Sequence, residues 1–154
     1  MRGRIVIADA SPLIALSDIG ELALLYELFG EIFVTDIVRN EIHADLPPWI
    51  QVSQDYDDQQ KALLALELDE GEASAIAMAL KYQDSRLLLD EKRGRGVAKR
   101  LGVSVIGTIG VIIMAKQKGI ISSGKQILDK LDQHGFWISN ELKTKVLALL
   151  NEAS

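Results

Sequence analysis

The run Arg4-Ile5-Val6-Ile7-Ala8-Asp9-Ala10-Ser11-Pro12 constrains the fold more than any other stretch of the chain. Its apolar part is rich in β-branched residues and has no polar alternation, so neither side of a strand built from it would face water. That is the pattern of a strand buried on both faces, typical of parallel sheets. The run stops at a carboxylate and then meets a Ser-Pro pair. Proline fixes its own φ, lacks an N–H and is accommodated in a helix's first turn, so Ser11-Pro12 reads as cap plus first helical residue. Asp9 is thereby predicted where a central strand ends and a helix begins. In open α/β sheets ligands bind outside that carboxyl edge. The other acids are therefore judged by whether they converge there.

The rest of the chain repeats the alternation. Leu13, Leu16, Leu22, Leu25 and Phe29 fall on helical spacing, predicting one helix over 14–29 that Gly30 ends. A short strand follows at 31–34, and Thr35 caps a helix running to about residue 44. Pro47-Pro48-Trp49 breaks the chain into a surface loop. Helices are predicted over 55–68, with Leu63, Leu64 and Leu66 inward, and over 69–82. Strands at 86–90 and 103–106 bracket a helix over 94–101. Three more helices are expected near 109–118, 123–133 and 139–150. Strands separated by helices imply βαβ units, hence an α/β fold with a central, mainly parallel sheet covered on both faces. The 154 residues, 48% of them hydrophobic, suffice for one domain with its own core, without repeats or linkers.

Composition removes several function classes. With no cysteine, neither a disulfide framework nor a cysteine-ligated zinc can form, which fits a reducing compartment. Met1-Arg2-Gly3-Arg4 before an apolar run imitates a secretory leader, but Asp9 interrupts it too early. The apolar stretch 103–115 carries Ser104, Gly107, Thr108 and Gly110 and is too short to cross a bilayer. The expectation is a soluble, cytoplasmic protein that does not engage membranes. A net charge of −5 and a pI near 5.0 speak against a nucleic-acid footprint spread over the whole surface. The charge is uneven, however. Lys92, Arg93, Arg95, Lys99 and Arg100 form a basic block, and a clustered block matters more to a polyanion than the sum does. An ordinary solvated helix face is the competing reading.

Three further acids stand out. Glu41 projects between the inward Ile37 and Val38 at 100° per residue, where a buried leucine would be expected. A carboxylate there is costly unless something compensates it, such as a salt bridge or a partly exposed helix end. Asp69-Glu70-Gly71-Glu72 has capping-box spacing, which alone could account for Glu72. The Glu72 side chain nonetheless lies on the flank shared with Ile76 and Ala79, and Gly71 lets something approach closely. Asp90 repeats the situation of Asp9: Leu87-Leu88-Leu89 ends in a carboxylate, with Glu91 beside it, although strand-end acids are often turn residues or caps.

Taken in order, Ile-Val-Ile-Ala-Asp9-Ala-Ser11-Pro, Val-Arg-Asn-Glu41-Ile, Gly71-Glu72-Ala-Ser-Ala-Ile76 and Leu-Leu-Leu-Asp90 resemble a PIN domain. The likeness is to the compact prokaryotic type found as VapC-like toxins, covers roughly residues 4–120, and is compatible with a helical C-terminal tail from about residue 121 within a single domain over 1–154. The resemblance implies a three-layer α/β/α sandwich with a divalent-metal-dependent ribonuclease site. It matches Asp9, Glu41, Glu72 and Asp90 to the catalytic, metal-holding acids, and Ser11 to the small polar residue supporting the first of them. It also implies an antitoxin protein that blocks the site, and a homodimer. Many members carry a Thr or Ser two residues before the last acid; here no hydroxyl precedes it, and Glu91 is held in reserve for Asp90.

The chemistry asks for this composition independently of the family. Two carboxylates about 5 Å apart repel by roughly 3 kcal/mol at an effective dielectric of 20. Four are held together only by a cation or by raised pKa values. Hard oxygen ligands suit Mg²⁺ or Mn²⁺, which can ionise a water for attack on a phosphodiester of RNA. The basic block after Asp90 is then expected at the rim of the same edge, tracking phosphates.

Other features carry less. Gly119-Ile-Ile-Ser-Ser-Gly124-Lys125 has phosphate-loop spacing, but Gln126 stands where Ser or Thr is needed. His43 and His134 read as surface residues, Trp49 and Trp137 as packing lids, and the Leu142, Val146, Leu149 stripe as core. Residues 22–29 could serve a dimer interface, with core packing the simpler reading. The alternatives to a nuclease are a catalytically silent PIN-like module binding RNA or protein, and a phosphatase or receiver domain with a strand-end Asp. The latter two want a second acid beside Asp9 that this chain lacks.

Overall fold

The computed structural model describes residues 4–152, so the Met1-Arg2-Gly3 segment discussed above lies outside the described residues. Five strands form one sheet: β1 (Ile5–Ala8), β2 (Ile32–Thr35), β3 (Ile50–Ser53), β4 (Ser85–Leu88) and β5 (Ser104–Ile106). Their order is β3-β2-β1-β4-β5, and every neighbouring pair is parallel. The connecting helices are α1 (Ala10–Asp18), α2 (Ala23–Phe29), α3 (Asp36–Glu41), α4 (Asp58–Leu64), α5 (Glu70–Lys81), α6 (Lys92–Arg100) and α7 (Thr108–Gln117). They are followed by α8 (Gly124–Gln133) and α9 (Asn140–Leu149). The result is the three-layer α/β/α fold.

β1 is central, as its unbroken apolar run requires: Val6, Ile7 and Ala8 are buried. The chain builds outward from β1 to β2 and β3, then returns to the other side of β1 for β4 and β5. The topological switch point therefore lies between β1 and β4, where open parallel sheets leave a crevice beyond their carboxyl ends. Ala8 pairs with Leu88 across that switch, so Asp9 and Asp90 both emerge into it. α5 packs across β1, β2 and β4, and the run from Gly71 to Ala79 is buried throughout. Alanine at four of those positions lets sheet, α3 and α4 approach closely on several sides at no side-chain entropy cost. α7 packs against α1 and α2, with α8 and α9 outside it; Ile127, Leu128, Leu131, Val146 and Leu150 join the same core as the sheet. The C-terminal helices therefore share the core of the sheet.

Several expectations need correction. The helix expected over 14–29 is two helices, because Gly20 adopts φ +74° and turns the chain between α1 and α2. Asp9, not Ser11, occupies the N-cap position of α1, so Pro12 is the third helical residue rather than the first. The helix after Thr35 stops at Glu41. β3 directly follows the Pro47-Pro48-Trp49 loop and has no counterpart in the sequence reading; it is an edge strand with Gln51 and Val52 exposed, so it lacks a clear apolar signal. α4 is short and buries none of its residues: Leu63 is 69% exposed and Leu66, beyond its end, 82% exposed, not inward. Trp49 does pack, its ring 5.4 Å from that of Tyr26, whereas Trp137 is 81% exposed and covers nothing. In the α9 stripe only Val146 is buried; Leu142 and Leu149 face outward. Among the described residues, no helix is long and apolar enough to cross a membrane.

Candidate active site

Asp9 is held from its backbone. Its N–H donates to the Leu88 carbonyl at 2.9 Å, continuing the β1–β4 ladder by one residue, and its φ of −76° and ψ of 168° start α1. The residue is 5% exposed, and its Oδ1 is buried without any hydrogen-bond partner. Orphaned buried carboxylate oxygens are costly and call for an explanation. Burial, followed by the charges of Asp69, Glu41 and Asp90, pushes the Asp9 carboxyl up to about 7, against a hydrogen bond from Ala10 that lowers it.

Glu72 approaches from α5. It is 5% exposed, and its Oε2 lies 3.0 Å from where a Cβ on Gly94 would stand. Burial, then Asp69, Asp9 and Glu91, push its carboxyl up to about 8. Asp69 caps α5 by accepting the Glu72 N–H at 2.8 Å, as the capping-box spacing predicts. Capping is thus the work of Asp69, which leaves the Glu72 carboxyl facing Asp9 and α6.

Glu41 arrives from the end of α3. Contrary to the reading of a buried face, the residue is exposed, but its carboxylate lies directly over the start of α5. A Cβ on Gly71 would stand 2.7 Å from Glu41 Oε2 and 2.9 Å from its Cδ, so Gly71 is the residue that lets this acid in. Partial burial and the Asp69 charge raise the Glu41 pKa. A buried hydroxyl pair fixes the two helices. Thr35 Oγ1 and Ser74 Oγ are 2.7 Å apart, Thr35 Oγ1 caps α3 by accepting the Val38 N–H, and Ser74 donates to the Gly71 carbonyl.

Asp90 and Glu91 are resolved into different environments. Asp90 is half-buried; its Oδ1 accepts the Thr108 N–H at 2.7 Å and its Oδ2 the Thr108 hydroxyl at 2.6 Å. The hydroxyl missing ahead of Asp90 in sequence is thus met from α7. Glu91 is exposed and caps α6, accepting the Gly94 N–H at 2.7 Å. Hydrogen bonds from the Gly94 and Arg93 backbone hold its carboxyl below the usual range. Asp90 acts electrostatically on Asp9, and Glu91 on Glu72, so both border the cluster from different sides.

Asp69 is the acid that sequence reasoning underrated. Its spacing reads as a cap alone, yet its charge raises the carboxyls of Asp9, Glu41 and Glu72 alike. Its position three residues before a site acid was the available signal. Ser11 sits exposed in the first turn of α1 and makes no side-chain hydrogen bond among the described residues. Lys92, Arg93 and Arg95 occupy the start of α6, next to the acids. Arg95 Nη1 and Asp90 Oδ1 lie 2.8 and 2.9 Å from where a Cβ on Gly107 would stand. Lys99 and Arg100 sit in the last turn. At 1.5 Å per residue they are about 10 Å further along the helix, towards the opposite sheet edge rather than at the rim of the acids. The phosphate-loop look-alike is filled from within the chain, because the Glu152 carboxylate accepts the Gly124 N–H at 2.8 Å.

The acids fit a hard divalent cation. The donors are all carboxylate oxygens, one is buried and unpaired, and three carboxyls carry raised pKa values that a cation would reverse. Among the described residues, no three acidic or histidine side chains are yet drawn together closely enough to form a finished chelate.

Fold and site together define an α/β/α protein with a carboxylate cluster at the switch point of a parallel sheet. A family model described as a PIN domain matches residues 5–152, and the chain belongs to the PIN-domain family. PIN domains are generally nucleases and typically use divalent metals. No curated protein and no solved structure matches the chain.

Proposed function

We propose that the protein is a divalent-metal-dependent endoribonuclease of the VapC-like type, the cytoplasmic toxin of a toxin–antitoxin pair. Asp9, Glu41, Glu72 and Asp90 would hold Mg²⁺ or Mn²⁺. The observation that carries this reading is the buried, unpartnered Asp9 Oδ1 amid acids from four separate segments. A divalent ion, when bound, supplies charge neutralisation and a nucleophilic water for phosphodiester hydrolysis without a side-chain nucleophile.

The remaining work falls to the chain. Asp9 is immobilised by the Leu88 carbonyl, and Glu41 and Glu72 are set by the Thr35–Ser74 pair and Gly71. Lys92, Arg93 and Arg95 begin the helix that follows Asp90 and are suited to incoming phosphates; Lys99 and Arg100 extend the same helix. Ser11 is exposed in the first turn of α1, two residues after Asp9. An antitoxin that inserts a cation among the acids, and a homodimer, belong to the same proposal.

The test is cleavage of structured RNA in Mn²⁺ by the wild type and by Asp9→Asn. The proposal expects metal-dependent cleavage that the substitution removes while the fold, followed by circular dichroism, persists. The open spacing of the acids favours one other reading, the silent binding module. RNA bound by both proteins and cut by neither would assign the chain to that module.

A further inference from the structure

Asp90 and Glu91 are adjacent and both border the acidic cluster, yet only Asp90 has both carboxylate oxygens fixed by one residue of another element. Leu88 pairs with Ile106 in the β4–β5 ladder, so two steps further along both strands bring Asp90 opposite Thr108. The Thr108 N–H takes one oxygen at 2.7 Å and its hydroxyl the other at 2.6 Å. Two donors on two oxygens fix the plane of a carboxylate. They use two of its roughly four acceptor positions and leave one on each oxygen open.

The support is rigid. Thr108 is fully buried, and α7 is anchored in the core through Val111, Ile112 and Ala115. Gly107 before it has no room for a side chain, because a Cβ would meet Asp90 and Arg95. Glu91, by contrast, is an exposed cap whose Oε2 is engaged by the backbone of its own helix.

We propose that Thr108 is a positioning residue that presents Asp90, rather than Glu91, to the divalent ion; this rests on the nuclease reading above. Hydrogen-bond partners that orient a metal-ligating carboxylate are worth about 10- to 100-fold in metal affinity. The hydroxyl proton of Thr108 points at Oδ2.

Thr108→Val removes the hydroxyl donor while keeping the branched shape and the backbone N–H, and Thr108→Ser restores the donor. Mn²⁺ affinity is measured by calorimetry without RNA, alongside the Mn²⁺ dependence of cleavage and the melting temperature in EDTA. Thr108→Val is expected to weaken Mn²⁺ binding about 10- to 100-fold, with Thr108→Ser within about threefold of wild type. Cleavage by Thr108→Val should return at saturating Mn²⁺, and melting in EDTA should differ little between the two variants. Should Thr108→Val not fold, Thr108→Ala compared with Thr108→Ser gives the same contrast.

Wild-type Mn²⁺ affinity in Thr108→Val, beside an active wild type, overturns this inference alone. So does a Thr108→Ser as impaired as Thr108→Val, which would make the role one of packing. A wild type that neither binds Mn²⁺ nor cuts RNA takes the nuclease reading down with it.

Discussion

Asp9 shows how one residue can be both a fold element and a reactive group. Its backbone extends the central ladder, while its side chain is buried with an oxygen that nothing in the chain satisfies. Its carboxyl is raised from 3.8 to about 7 and that of Glu72 from 4.5 to about 8, burial being the first cause in each. Between those values the folded state binds more protons than the unfolded one, so stability falls as pH rises. Metal-free protein should therefore show a urea midpoint that declines from pH 5 to pH 8. Added Mn²⁺ should recover it most at pH 8, where binding has the fewest protons to displace. A midpoint that rises over this range without metal would contradict the raised carboxyls. Gly71 makes a second prediction. Alanine suits a helix better than glycine by about 0.5–1 kcal/mol, so Gly71→Ala should fold at least as stably. Its Cβ would, however, displace the Glu41 carboxylate, so cleavage should fall while the melting temperature holds. Unchanged cleavage would remove Glu41 from the site.

At the scale of elements, helix starts carry much of the organisation. Thr35 caps α3 and bonds Ser74, tying the segment that ends in Glu41 to the helix that bears Glu72. The C-terminal segment is secured similarly. Burial alone would raise the Glu152 carboxyl, but hydrogen bonds from Gly124, Ser123, Lys125 and Lys116 overcome this and bring it down to about 2. Its contribution is complete above pH 4.5 and is lost as the pH falls towards 2. Glu152→Gln should thus lower the melting temperature at pH 7 and converge with wild type in strong acid; a constant difference across that range would contradict the account. What the sequence conveyed about elements follows from how each is stabilised. β1 and β4 were legible because burial on both faces writes an unbroken apolar run, and α5 because its cap and its alanines are local signals. β3 was missed because an edge strand borrows its stability from β2 and needs no apolar pattern of its own. The exposure of Leu63 and Leu66 was equally illegible, since a leucine's spacing does not reveal whether anything packs over it.

For the molecule as a whole, topology gathers the acids. Asp9, Glu41, Glu72 and Asp90 are scattered over more than half of the chain, and the β1–β4 switch point brings them to one edge. Asp9 and Asp90 were legible as strand ends, whereas Glu41 and Glu72 were joined to them by the family resemblance. The joint influence of Asp69 and the hold of Thr108 on Asp90 were not legible, because both depend on which helix start faces which strand end. Charge is divided along α6, with Lys92, Arg93 and Arg95 beside the acids and Lys99 and Arg100 at the far end. Replacing the first three by Gln should weaken RNA binding and lower its salt dependence more than replacing the last two; equal effects would deny the edge its role.

The most direct test of the account is anomalous diffraction from a crystal soaked in Mn²⁺. It predicts an ion at coordination distance from Asp9 Oδ1, with other carboxylates of the cluster among its ligands. A saturating soak that leaves Asp9 Oδ1 without an ion, or puts the metal elsewhere, would contradict it.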